Sequence, residues 1–128
     1  MRHFSSKISN FFAQVGISDD LLVAEVPKSP SCASPGDFLF FQYSPKYKRD
    51  VGSKGNTWRI VLMVQPIVKQ AGTGNLLLTG YELPDSGGYT PDSLLTLYNN
   101  KELPEDSYRT FILNPPYVVS PLYRIQRS

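Results

Sequence analysis

The run Phe38-Leu39-Phe40-Phe41-Gln42-Tyr43 constrains the fold of this chain more than any other stretch. Its aromatic content marks it as a β-strand. Alternation along a strand puts Phe38, Phe40 and Gln42 on one face and Leu39, Phe41 and Tyr43 on the other. Both faces are apolar. Such a strand must be covered on both sides, or sit in a barrel with one face against another element. Ser34-Pro35-Gly36-Asp37 supplies turn chemistry before it. Ser44-Pro45 ends it, because proline cannot donate to a ladder and pushes the preceding residue out of the helical region.

The next segments extend the same architecture. A second strand is predicted from about Thr57 to Lys69, where Trp58-Arg59-Ile60-Val61-Leu62-Met63-Val64 is too apolar for a half-wet sheet. Pro66 inside this run calls for an edge, a bulge or a strong bend. Ala71-Gly72-Thr73-Gly74-Asn75 reads as a hairpin loop with glycines available for positive φ. Leu76-Leu77-Leu78-Thr79-Gly80-Tyr81 returns as the third strand. This order opens an SH3-like small barrel, and an OB-like barrel would begin in the same way.

Around this centre the chain is predicted to be mainly β with minor α. Phe4, Ile8, Phe11, Phe12 and Val15 recur at helical spacing, with Gly16 placed to stop the helix, so an N-terminal amphipathic helix with an aromatic face is expected. That face either packs on the barrel or docks on a partner subunit. Asp19-Asp20 can cap a short turn through Leu21-Leu22-Val23. The Pro/Ser/Ala stretch 28–35 reads as a linker between an N-terminal helical arm, residues 1–26, and a small β-barrel domain, residues 35–128. Thr90, Pro91 and Asp92 form a helix start, by N-cap, first-turn proline and dipole respectively, for a helix near 91–100 with Leu94, Leu95, Leu97 and Tyr98 buried. A fourth strand is expected over 107–113, stopped by Asn114-Pro115-Pro116. Short final strands at 117–119 and 122–125 flank Pro121.

At 128 residues there is room for one domain with a sizeable core. A net charge of +2 does not by itself argue for nucleic acid. The single cysteine, Cys32, excludes an internal disulfide and suits a reducing compartment. No run reaches membrane-spanning length, and 4–15 is too polar for a signal sequence. The expectation is a soluble protein made in a cytoplasm, with no membrane partner.

Several chemistries are disfavoured. The only histidine, His3, sits near a chain end, which removes a Ser-His-Asp triad or a Cys-His pair in ordinary form. One His and one Cys cannot build a structural zinc site. Gly72-x-Gly74 lacks the Gly-Lys-Ser/Thr of a phosphate loop. Asp37 and Asp50 could meet around a metal, but both sit where turn and cap residues are expected. No catalytic residue, cofactor or metal is therefore assigned, and the chain is read as non-enzymatic. One basic cluster remains. Lys46, Lys48, Arg49, Lys54 and Arg59 gather around Tyr47 and Trp58, a composition that can bind phosphates and stack bases. Its bland alternative is a solvated loop that protects a barrel edge.

PGDFLFFQYSPKYKRD, followed by an apolar strand, a Gly-containing hairpin and LLLTGYELP, resembles a group of small structural or accessory proteins of T4-like tailed bacteriophages. Their pattern is roughly Pro-Gly-x-Leu-x-Phe-Phe-x-Tyr-x-Pro-Lys-x-Lys, then an aromatic-rich strand, then Gly-Phe-x-Gly-x-Asn-x-His-Tyr-Leu-Pro. The likeness spans about residues 35–84. It departs at Tyr81-Glu82-Leu83-Pro84, where the pattern has His-Tyr-Leu-Pro, and at Val51-Gly52-Ser53-Lys54-Gly55. The resemblance implies phage origin more than an activity. With the absence of catalytic residues, the aromatic arm and the Pro-rich extended segments, the expectation is a non-enzymatic virion protein working through contacts with other virion proteins or with itself, in tail, baseplate or head–tail junction. The alternative is a nucleic-acid-binding barrel using the basic loop.

Overall fold

The computed structural model describes residues 8, 9, 13, 23–44, 58–83, 91–102 and 105–125, the side chains of residues 91, 92, 94 and 106 excepted. Its strands are β1 (Val23–Val26), β2 (Phe38–Gln42), β3 (Trp58–Met63), β4 (Val68–Lys69), β5 (Leu76–Glu82), β6 (Tyr108–Ile112) and β7 (Leu122–Ile125), with helix α1 (Pro91–Asn99) between β5 and β6. All belong to one antiparallel sheet in the order β1-β7-β2-β3-β5-β4, with β6 also paired to β5. β3 and β4 share one edge of β5: Met63 pairs with Gly80 and Val68 with Leu77. They are the two halves of the predicted long strand, broken around Pro66. The fold is mainly β, a curled half-barrel, as its sequence requires.

Both faces of β2 are covered. On the inner, concave face Leu39, Phe41 and Tyr43 pack with Val61, Met63, Leu78, Phe111, Leu113 and Leu122. On the outer face Phe38 and Phe40 pack with Ile60, Leu62, Leu83, Ile125 and Ile8, and Leu95 and Tyr98 of α1 lie against them. Leu39, Phe40, Phe41, Ile60, Leu62, Met63 and Leu78 are wholly buried. Each such side chain contributes about 1.5–3 kcal/mol of burial free energy. The T-shaped contacts of Phe111 with Phe41 and Tyr43, at centroid distances of 5.4 and 5.3 Å, show how the curl brings β6 over β2.

The curl is permitted by a missing side chain. A Cβ at Gly80 would fall on the Leu62 carbonyl oxygen, and would lie 2.8 Å from Val61 Cγ1 and 2.9 Å from the Leu62 carbonyl carbon. Backbone meets backbone here, a use of glycine typical of tight barrel corners.

The chain then returns along β2. Tyr43 bridges Val118, while Leu39 and Phe40 pair with Arg124 and Tyr123. Between these two registers Ser120 and Pro121 bulge out, and Ser120 Oγ accepts the Gln42 N–H at 2.8 Å in place of a ladder carbonyl. Helix α1 ends with Lys101 at φ 60°, where its N–H bonds Tyr98 O and that of Glu102 bonds Leu97 O. This is a Schellman closure.

Three expectations are corrected. Leu21-Leu22-Val23 was expected as a turn, but Val23 opens strand β1, whose register on β7 pairs Val23 with Ile125 and Val26 with Leu122. The last residues of the expected arm thus lie in the sheet. The stretch 28–35 is no simple linker: Cys32 and Ala33 are buried in the inner core. Their small side chains fit there, and the chain is tied by Gly36 N–H to Met63 O at 2.7 Å and Met63 N–H to Asp37 O at 2.9 Å. Residues 117–119 form a single bridge rather than a strand, because the bulge at Ser120 interrupts the ladder.

Gly80→Ala is expected to destabilise the fold by about 3 kcal/mol or more, since the clash is with backbone that cannot rotate away. Urea denaturation of the purified chain checks this; a loss below about 0.5 kcal/mol would mean that the strands are not so closely apposed.

Candidate functional site

Of the basic cluster, Lys46, Tyr47, Lys48, Arg49 and Lys54 lie outside the described residues. The structure places its other two members on opposite faces of β3. Trp58 is half-buried on the outer face, with ring centroids 6.0 Å from Phe40 and 6.3 Å from Tyr123. Phe40 and Tyr123 are themselves stacked at 5.1 Å. Trp58 thus extends an aromatic cluster of the core.

Arg59 points the other way. It shares the inner face with Val61 and Met63, opposite Phe41. Its Nη1 donates to Glu82 Oε2 at 2.6 Å, with the two side chains 8% and 9% exposed. Glu82 is on the same face because it pairs with Val61, and Arg109 because it pairs with Gly80. Arg109 Nε lies 3.9 Å from Glu82 Oε1 and remains partly exposed. One carboxylate between two guanidiniums therefore closes this end of the inner face. Grouping Arg59 with the surface cations is corrected: it is buried and bound to Glu82. Strand parity with Val61 and Met63 was the signal that could have separated it from the loop.

Of the aromatic arm, Phe4, Phe11, Phe12 and Val15 lie outside the described residues, and Ile8 is wholly buried against the outer face of this chain's own sheet. Asp37 serves a turn, its carboxylate accepting the Ser34 N–H at 2.9 Å, and Asp50 lies outside the described residues. Burial pushes the Cys32 thiol up from its ordinary pKa. The Cys32 carbonyl accepts from Arg124 Nη1 at 3.3 Å.

Two surfaces remain as candidates for contact. A groove of about 550 Å³ runs between the start of the chain's sheet and its return segment, lined among others by Glu25, Lys28, Pro116, Val119 and Pro121. Val119 is 56% exposed although its N–H is fixed on Gln42 O at 2.9 Å, so an apolar side chain is held out on a rigid backbone. The second surface is the outer side of β4, β5 and β6, where Val68, Tyr108 and Thr110 are exposed while Thr79 is buried and Tyr81 packs on the outer core. Register aligns Val68, Leu77 and Ile112 in one row, Thr79 and Thr110 in the next, and Tyr81 and Tyr108 in a third. These rows carry no charge. Thr79 and Thr110 hydroxyls bond each other at 3.1 Å, and the tyrosine rings meet edge-on at 5.2 Å.

Among the described residues no group of three His, Cys, Asp or Glu side chains could hold a metal ion, and no helix is long and apolar enough to cross a membrane. No protein-family profile, curated protein or solved structure matches this chain.

Removing one partner of a buried ion pair leaves a desolvated charge, which costs about 3–5 kcal/mol, whereas replacing both by apolar groups is often nearly neutral. Glu82→Leu is therefore expected to destabilise strongly, and Arg59→Met with Glu82→Leu to recover most of that loss. Chemical denaturation of the single and double variants checks it; equal losses in both would remove the pair from its assigned role.

Proposed function

We propose that this chain is a non-enzymatic assembly protein of a tailed-phage virion, made in the host cytoplasm and acting in tail, baseplate or head–tail junction through protein–protein contacts. The observation that carries this reading is the division of labour among its side chains. The polar groups described inside the fold hold the fold: Arg59 and Glu82 close one end, Arg124 holds the Cys32 carbonyl, and Ser120 fills the bulge. Among its outward features are Val119, an apolar side chain held out beside the proline-lined groove, and the exposed, uncharged Val68, Tyr108 and Thr110 on β4 and β6. Such surfaces suit another protein better than a small charged substrate.

The architecture supports the same reading. Strands β2, β3, β5 and β6 form a meander, and the last strand returns to pair with β2. This makes a curled half-barrel, a small β-barrel type of scaffold that serves many binding roles and dictates none. The resemblance of residues 35–84 to small phage proteins points to the virion as the place of binding.

The test is mass spectrometry of purified particles from the genome that encodes this chain, together with native mass spectrometry of the isolated protein at low salt, with and without a DNA duplex. The chain is expected in the particles, and in protein complexes that do not require DNA. Absence from particles would overturn the reading. Salt-sensitive DNA binding lost on Lys→Glu changes at Lys46, Lys48 and Lys54 would move the function to nucleic acid.

A further inference from the structure

We draw no further inference here: the strongest candidate, the open groove between the end of β1 and the return segment 115–121 with Val119 exposed on its wall, is an apolar face for which nothing in the structure shows what covers it.

Discussion

The close approach of β5 to β3 at Gly80 is the constraint on which the rest of the structure depends. Because no side chain stands there, the two backbones meet and the sheet turns sharply. The turn makes one face concave. It brings Phe111 onto Phe41 and Tyr43, and so lets a small number of aromatic and branched side chains fill the interior. It also sets the position of Arg109, which is paired with Gly80 and for that reason lies beside Glu82. The apolar interior and its ionic closure are consequences of the same bend.

The polar residues inside this fold follow a common logic. At two places in the described residues where the curled ladder leaves a backbone N–H without its usual partner, a side chain replaces it. Ser120 Oγ takes the Gln42 N–H, and Asn114 Oδ1 takes the Leu76 N–H at 2.7 Å. Buried backbone groups left unsatisfied would each cost about 1–3 kcal/mol. These substitutions therefore matter as much to the fold as the apolar contacts. They also leave the strands' outward surfaces to carry whatever recognition the protein performs.

Much of this was legible in the sequence because its signals are local. The two apolar faces of Phe38-Leu39-Phe40-Phe41 required cover on both sides, and have it. The glycines of the 71–75 loop, with φ of 89° at Gly72 and 74° at Gly74, form the expected hairpin. Pro91 opens its helix as expected. What was not legible depends on distant pairing. Val23-Ala24-Glu25-Val26 becomes a strand only because β7, almost a hundred residues later, offers an edge. Cys32 and Ala33 look like linker residues until the curled sheet buries them in its inner core. Arg59 reads as part of a basic loop by proximity, yet strand parity turns it inward to a glutamate that sequence proximity does not suggest. The arm residues Phe4, Phe11, Phe12 and Val15 and the loop lysines lie outside the described residues, so the candidate contact surfaces come from the groove and from β6 instead.

The central claim is that β3, β5 and β6 are neighbours in this register, with alternate amides of β6 facing inward to β5 and outward to the edge. Amide hydrogen exchange resolved by residue, on a dilute sample, tests it most directly. Amides of Val61, Leu78 and Phe111 are predicted to exchange only through global unfolding, and that of Thr110 to exchange fast. Fast exchange at Leu78 and Phe111, or equal protection at Phe111 and Thr110, would contradict the curled sheet and its register.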